Sequence, residues 1–290
     1  MRLAGAELEA AERVSRLLAG AAPLGVAFSG GVDSSTLLAL AARALGADGV
    51  IAILGVSPSL AADERIGAHE VAAFVGVPVV EVATYEGERP EYRRNHADRC
   101  FYCKDELFQR ISDEVVQRHG LAAVAYGENA DDARRPDRPG ARAAVAHRVL
   151  RPLADAGLRK ADVRRIARAL GLPCADKPAA PCLASRIPHF QEVSPEKLRG
   201  IELAEAAVRA LGFGELRVRH HGDVARIELP AEDLPRAVTA PLRDEILRAV
   251  TAAGFRFVTL DLAGVQSGAF TLALVDRGEH RDPGRIAPHD

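Results

Sequence analysis

Residues 29–35, with the sequence SGGVDSS, are the most chemically informative stretch of this 290-residue chain. They lie between the apolar run 24–28 and a leucine-rich helical pattern, an order that points backbone N–H groups and the positive end of a helix at a phosphate or pyrophosphate. The glycines let the backbone approach such a ligand, and the carboxylate can hold a neutralising cation. The alternative is a plain glycine turn with Asp33 or Ser34 as a helix N-cap. The candidate phosphate-binding residues are Ser29, Gly30, Gly31, Asp33, Ser34 and Ser35.

Two further loops are expected at the same place. Residues 55–59 follow a second strand-like run, and residues 127–132, with the sequence GENADD, follow a fourth. Because ligands of parallel sheets bind at the carboxyl ends of the strands, the side chains of these loops are candidates for nucleotide and Mg²⁺ binding. For residues 127–132 an Asx turn that starts a helix is the equally weighted alternative. The candidates in the two loops are Ser57, Gly127, Asn129 and Asp131.

The cysteines form a second set of candidates. Cys100 and Cys103 make a C-x-x-C pair, which is typical of half a zinc site or of a redox pair. Cys182 lies in a proline-rich loop between Lys177 and Arg186, and positive neighbours favour a nucleophilic thiolate. The alternatives are two unremarkable thiols in the first case and an inert buried cysteine in the second. In the expected cytoplasmic setting, ligands or reactive thiols are favoured over disulfides.

A pair of arginines marks the second half of the chain. Arg217 and Arg219 lie two residues apart on a predicted strand and therefore share one face of it. Two guanidinium groups on one face can clamp a phosphate or a carboxylate. A solvated strand face is the alternative of equal weight.

The elements that position these residues follow an alternating pattern. Strand-like runs at residues 26–28, 49–54, 77–82 and 121–126 alternate with helices, which predicts an α/β domain with a doubly wound parallel sheet. Residues 133–146 are rich in Arg, Pro, Asp and Gly and predict a long irregular loop. After the proline-rich segment 176–190, an αββαβ pattern predicts a small α+β domain. The expected domains are therefore residues 1–190 and 191–290.

Composition excludes some classes of partner. The net charge is −2, aromatic residues make up 4% of the chain and Trp is absent, so neither a basic footprint nor a base-stacking platform for nucleic acid is expected. The sequence shows no signal peptide and no apolar stretch long enough to cross a membrane, so a cytoplasmic protein without membrane contact is expected.

Taken together, the motifs resemble those of the LarE family of PP-loop ATP pyrophosphatases, the sulfur transferases of nickel-pincer nucleotide biosynthesis. The matching segments are residues 29–35, 99–104, 127–132, 138–140, 176–178, 182–186 and 216–219. The resemblance implies a PP-loop fold of the adenine nucleotide alpha-hydrolase type. It also implies that ATP and Mg²⁺ adenylylate a carboxylate of a pyridinium dicarboxylate mononucleotide, releasing pyrophosphate, and that a sulfur nucleophile then displaces AMP to leave a thiocarboxylate.

The same resemblance implies roles for the cysteines. In one branch of the family, cysteines matching Cys100, Cys103 and Cys182 hold a 4Fe–4S cluster that carries a transferable sulfide from a sulfur donor. In another branch the cysteine matching Cys182 gives up its own sulfur and becomes dehydroalanine. Since this chain has all three cysteines, the cluster branch is favoured.

Further roles are implied in the same way. Lys104 is expected near the reacting groups, and Glu205 with the Arg217/Arg219 pair near the substrate phosphate or a bound cation. Arg186 is expected to bind the cofactor, and the protein is expected to form hexamers. Departures from the family's usual pattern are Cys174, His189-Phe190 and residues 264–269. Two other functions stay open: tRNA thiolation by a PP-loop enzyme, and a noncatalytic nucleotide-binding module with structural zinc.

Overall fold

Two compact units make up the part of the chain that the structure, a computed structural model, describes, namely residues 3–135 and 139–265. The first unit runs to Arg93 and continues over Asp98–Cys182, whereas the second contains Arg94–Ala97 and the chain from Leu183 onward. The division at Leu183 lies earlier than the expected boundary after residue 190. Arg138 and residues 266–269, which entered the resemblance, lie outside the described residues.

A parallel sheet of four strands forms the centre of the first unit, as the alternating pattern predicts. The strands are β1 (Leu24–Ala27), β2 (Val50–Val56), β3 (Val79–Ala83) and β4 (Ala123–Tyr126). They lie side by side in the order β3-β2-β1-β4, and each neighbouring pair is parallel. The loops that follow these strands therefore leave the sheet at one edge.

Helices connect the strands of this unit. They are α1 (Gly5–Leu18), α2 (Val32–Leu45), α3 (Ala62–Val75), α4 (Pro90–Arg93), α5 (Arg99–Arg110), α6 (Gln117–His119), α7 (Ala130–Ala133), α8 (Pro139–Ala146), α9 (Pro152–Asp155) and α10 (Lys160–Ala169). A π-helical stretch, Ile111–Val116, joins α5 to α6, so the helix expected around Cys103 to His119 is present with a wider turn in its middle.

Two apolar clusters cover the sheet, one on each face. Ala52 and Leu54 of β2 belong to a cluster with α1, α2 and α10, whereas Ile53 of the same strand belongs to a cluster with α5 and α8. Successive side chains of a strand point to opposite faces, which accounts for this division. Cys174, which has no clear place in the family pattern, is buried in the first cluster and therefore has a packing role.

The prediction of an irregular loop at residues 133–146 is wrong over much of this segment. Residues 130–133 form α7, and residues 139–146 form α8, which packs on α5. The sequence pattern was misleading because its Pro and Gly stand at the first two positions of α8, where proline is tolerated and needs no N–H partner. The alanines that follow are strong helix formers.

The second unit has the predicted αββαβ order with one additional short helix after its second strand. Its elements are α11 (Pro195–Ala210), β5 (Arg217–His221), β6 (Val224–Glu228), α12 (Leu234–Ala237), α13 (Leu242–Ala252) and β7 (Phe257–Leu260). The α11 helix begins as predicted, because the Ser194 hydroxyl accepts a hydrogen bond from the Lys197 N–H at 3.4 Å and Pro195 occupies the first turn. The β5–β6 hairpin turns at Gly222, whose φ is +64°.

Across residues 3–135 and 139–265, no helix combines the length and the apolar character that a membrane span requires.

Candidate functional site

The glycines of residues 29–35 shape the loop between β1 and α2. Gly30 has a φ of +72°, and a Cβ added there would lie 2.9 Å from the Cα of Ala68 in α3. Only glycine meets both conditions. Gly31 is the N-cap of α2 and makes no side-chain cap, so neither Asp33 nor Ser34 is the N-cap that the alternative interpretation required. The N-terminal N–H groups of α2 thus begin directly at the loop, as expected for an anion site.

The serines of the loop have different surroundings. The Ser34 hydroxyl donates to the Gly31 carbonyl at 3.1 Å and accepts from the Ser29 N–H at 3.3 Å, which closes the turn. The hydroxyls of Ser29 and Ser34 lie 3.2 Å apart. The Ser35 hydroxyl is buried and makes no hydrogen bond to any described residue. Ser34 therefore has a structural role, and Ser35 retains bonding capacity.

A lysine that the sequence analysis missed contacts two of the candidate carboxylates. The Lys160 ammonium lies 2.6 Å from Asp33 Oδ2, and the Lys160 N–H donates to Asp131 Oδ2 at 2.9 Å. Asn129 lies beside them, with its Nδ2 3.4 Å from Asp33 Oδ1. The expectation that Asp33 holds a cation that neutralises the phosphate stays a prediction; in this structure its carboxylate is bonded to the Lys160 ammonium. One feature of the sequence could have identified Lys160 as a site residue: it lies in the first turn of a helix, where a cation is unfavourable without a specific partner.

The loop after β4 approaches the same helix terminus closely. A Cβ at Gly127 would lie 2.6 Å from the backbone nitrogen of Ser34, so any side chain there would separate the loop from α2. The Asn129 side chain accepts from the N–H groups of Asp131 and Asp132 and caps α7. The Asx-turn interpretation of this loop therefore describes its local geometry, while Asn129 also contacts Asp33.

Ser57 belongs to a buried hydrogen-bonded chain at the end of β2. Its hydroxyl donates to Glu86 Oε1 at 2.5 Å and accepts from the Ser59 N–H at 3.2 Å. The Ser59 hydroxyl in turn lies 2.6 Å from the hydroxyl of Tyr92. Glu86 is 2% exposed, and its second oxygen has no hydrogen-bond partner among the described residues. Glu86 was not a candidate in the sequence, where it reads as an ordinary loop acid.

The three candidate cysteines belong to the first unit and act on one another electrostatically. Burial raises the pKa of Cys103 well above its ordinary value, and the charges of Glu86, Cys182 and Cys100 raise this pKa further. Cys100 and Cys182 are exposed. Burial alone would lower the pKa of Arg99, but the charges of Cys182, Cys100, Tyr92 and Cys103 together raise this pKa above its ordinary value.

The three thiols have the right chemistry for metal ligands, but this structure does not arrange them as a metal site. Thiolate sulfur is the usual protein ligand of iron–sulfur clusters, and Cys100 and Cys103 occupy adjacent turns of one helix face. In the described part of the chain, however, no group of three or more His, Cys, Asp or Glu side chains could hold a metal ion as it stands.

Lys104 lies between an aromatic ring and a glycine. Its ammonium is 4.4 Å from the centre of the Tyr126 ring at the end of β4. On another side of it, a Cβ at Gly140 of α8 would lie 2.8 Å from the Lys104 Cδ. The lysine is half-buried, and these two residues contact its side chain on different sides.

In the second unit the arginines and Glu205 form a buried cluster of charges. Arg186 donates to both oxygens of Glu205, at 2.8 and 3.2 Å, and Glu205 also accepts from the Val218 N–H at 3.0 Å. Arg219 donates to both oxygens of Glu228 at 2.9 Å. A solvated strand face is therefore wrong for Arg217 and Arg219, which are 5% and 3% exposed.

Further arginines approach the same glutamates. Arg226 lies 3.4 Å from Glu228 Oε1, and Arg209 lies 3.8 Å from Glu205 Oε2. Burial lowers the pKa of Arg217, and the charges of Arg219 and Arg186 lower it further, as expected for a cation among cations. The clamping role expected of Arg217 and Arg219 stays a prediction, and the positively charged group bonded to Glu205 is Arg186.

Comparison with known proteins gives the family. The asparagine synthase family matches residues 7–174 of the chain. The pyridinium-3,5-bisthiocarboxylic acid mononucleotide synthase of Lactiplantibacillus plantarum is 34% identical over 243 residues, which cover 84% of this chain and 87% of that protein. The chain belongs to the LarE family of PP-loop proteins. The expected family and the expected α/β PP-loop fold are therefore confirmed.

Two uncharacterised proteins match as well. An uncharacterised protein of Synechocystis sp. is 40% identical over 249 residues, covering 86% of this chain and 92% of that protein. An uncharacterised protein of Methanocaldococcus jannaschii is 31% identical over 169 residues, covering 58% of this chain and 64% of that protein.

Proposed function

We propose that this LarE family protein is an ATP-dependent sulfur transferase acting on a pyridinium dicarboxylate mononucleotide. The observation that carries the proposal is the presence, in one compact unit, of a PP-loop with a free helix terminus and three electrostatically coupled cysteines. The identity to the Lactiplantibacillus plantarum synthase over both units supports the choice of substrate.

The proposed reaction has two steps. A substrate carboxylate oxygen attacks the α-phosphorus of ATP, and the bond to pyrophosphate breaks, which gives an acyl adenylate. Hydrosulfide then attacks the acyl carbon, AMP leaves, and one proton is lost, which gives the thiocarboxylate. The first step is needed because an oxide ion is a very poor leaving group, whereas AMP is a good one. The second carboxylate reacts in the same way.

The first unit supplies the groups for adenylylation. The N–H groups at the start of α2 bind the phosphates, and the Lys160 ammonium adds a positive charge beside them. Mg²⁺ would be held by Asp33 and Asp131 together with phosphate oxygens. The Lys160 ammonium balances the charge of Asp33 until the metal and the nucleotide arrive, and the Lys160 backbone N–H donates to Asp131. The Lys104 ammonium faces the anionic substrate.

For the sulfur, the donor set favours the cluster branch. Cys100, Cys103 and Cys182 would hold a 4Fe–4S cluster, whose iron without a protein ligand supplies a binding place for sulfide. The alternative within the same function is that Cys182 gives up its own sulfur. In the second unit, Arg217 supplies a buried positive charge that suits the substrate phosphate. The hexamer implied by the resemblance stays a prediction, which light scattering on the purified protein checks.

Pyrophosphate release under anaerobic conditions tests the function. Release should require both ATP and the dicarboxylate nucleotide, and iron and acid-labile sulfide should be present in the active protein. Cys103→Ala should lose the iron and retain pyrophosphate release, because adenylylation does not need the sulfur. Cys174→Ala is the matched control, since this thiol lies in the apolar core, and it should retain both.

Two results would overturn parts of the proposal. Pyrophosphate release that does not depend on the nucleotide substrate would exclude the reaction. Stoichiometric zinc in place of iron, without any release, would indicate the noncatalytic module instead.

A further inference from the structure

The ring of Tyr126 gives Lys104 a defined place at the carboxyl edge of the sheet. The ammonium lies 4.4 Å from the ring centre, within the range of a cation–π interaction. The ring itself is fixed, because Tyr126 is 6% exposed and packs edge-on against Phe108 with the ring centres 5.9 Å apart. The long side chain of Lys104 therefore lies over a rigid aromatic surface.

Gly140 of α8 closes the other side of the lysine. A Cβ at this position would lie 2.8 Å from Cδ and 3.2 Å from Cε of Lys104, which is closer than real Cβ contacts allow. The helix that carries Gly140 is fastened to α5: His147 Nε2 lies 2.9 Å from Asp105, and the Arg142 guanidinium lies 5.2 Å from the centre of the Phe101 ring. The glycine cannot recede, so the lysine must fit between it and the ring.

We propose that Tyr126 and Gly140 are positioning residues that hold the Lys104 ammonium in place for the carboxylate being activated. This rests on the proposed function, in which Lys104 faces the anionic substrate. A preorganised ammonium loses less conformational freedom when the substrate binds, so the two residues act on substrate affinity through Lys104. Neither residue needs to touch the substrate.

Gly140→Ala is the sharpest variant, because positioning and stability should change in opposite directions. Alanine is about 1 kcal/mol more favourable than glycine in a helix, so the melting temperature should stay or rise. The new methyl group displaces Lys104, so KM for the dicarboxylate nucleotide should rise roughly 2- to 30-fold, the worth of a cation–π contact. The KM for ATP and kcat should stay unchanged. Gly67→Ala in α3 is the matched control, because its Cβ would make only an ordinary 3.8 Å contact with Lys177.

The ring is tested by a conservative pair of variants. Tyr126→Leu removes the aromatic face and should raise the same KM, whereas Tyr126→Phe retains the face and should restore the wild-type value. Tyr85→Leu removes another cation–π contact of this unit, with Arg110 at 4.8 Å, and should leave KM unchanged.

A spectroscopic measurement follows Lys104 without any turnover. With ¹³C-labelled lysine, the ε-protons of Lys104 should be shifted upfield by the ring current of Tyr126. The shift should vanish in Tyr126→Leu, persist in Tyr126→Phe and change in Gly140→Ala.

The outcomes separate this inference from the proposed function. An unshifted Lys104 signal in the wild type, or an unchanged KM in Gly140→Ala, would overturn the positioning role even if the enzyme transfers sulfur. A wild-type protein that releases no pyrophosphate would refute the proposed function, and then the NMR shift alone decides whether Lys104 is held by the ring.

Discussion

The buried pair of Arg219 and Glu228 provides a quantitative test of the second unit. The side chains are 3% and 0% exposed, and both hydrogen bonds between them measure 2.9 Å. Arg219 also donates to the Ser185 carbonyl at 3.0 Å. We predict that Glu228→Gln, which keeps the shape and removes the charge, strongly destabilises the protein because it leaves a guanidinium buried without an anion.

The magnitude follows from burial. Removing one partner of a buried ion pair costs about 3–5 kcal/mol, since the remaining charge stays desolvated. The exposed pair of Arg65 and Glu81 is the matched comparison, with side chains 49% and 29% exposed. Such pairs contribute only about 0–1 kcal/mol, because water already solvates both charges. The two perturbations should therefore differ severalfold in the free energy of unfolding.

Urea unfolding followed by circular dichroism measures the difference. We expect Glu228→Gln to lower the free energy of unfolding by about 3 kcal/mol or more and Arg65→Met by less than about 1 kcal/mol. The double variant Arg219→Met/Glu228→Leu should recover most of the loss, because it removes both buried charges. A loss for Glu228→Gln as small as that for Arg65→Met would refute the reasoning, because it would show that the buried Arg219 guanidinium does not need the charge of Glu228.

Three other perturbations test separate parts of the account. Lys160→Met removes the charge beside Asp33. The variant should lower kcat/KM for ATP, measured by pyrophosphate release, roughly 10- to 150-fold, which is the worth of a charged hydrogen bond. Asn95→Ala should cost about 2–4 kcal/mol in thermal unfolding, because this buried residue has a φ of +57° and donates to two backbone carbonyls. Hydrogen bonds from Arg65 and His69 together lower the pKa of Glu81 from 4.5 to about 2. The stabilisation that ionised Glu81 gives the folded protein is therefore present above pH 4.5 and is lost as the pH falls towards 2. The free energy of unfolding of Glu81→Gln should show no such loss.

The local pattern predicts the turn of residues 29–35 well. The backbone at position 30 has a positive φ, and the glycine pair in the sequence indicates such a turn. The strand before the turn and the helix after it follow from the spacing of apolar residues. The parallel sheet and the αββαβ unit follow in the same way. These features depend on residues close together in the chain, which is why a single sequence contains them.

The partners of charged residues could not be predicted in this way. Lys160 lies 127 residues from Asp33, and no periodicity links the two. The same holds for Arg186 and Glu205, which pair across 19 residues. A strand pattern places Arg217 and Arg219 on one face, yet whether that face is solvated or buried depends on the acids that the fold brings to it.

Isotope labelling of the transferred sulfur atom shows whether the protein uses ATP to transfer sulfide onto the dicarboxylate nucleotide. Wild-type protein is incubated anaerobically with Mg²⁺, ATP, the dicarboxylate nucleotide and sulfide enriched in a heavy sulfur isotope, and both the product and the Cys182 peptide are weighed by mass spectrometry. The account predicts a thiocarboxylate that carries the heavy isotope, formed only with ATP, and an intact Cys182. A product without sulfur, or a heavy thiocarboxylate formed without ATP, would contradict it.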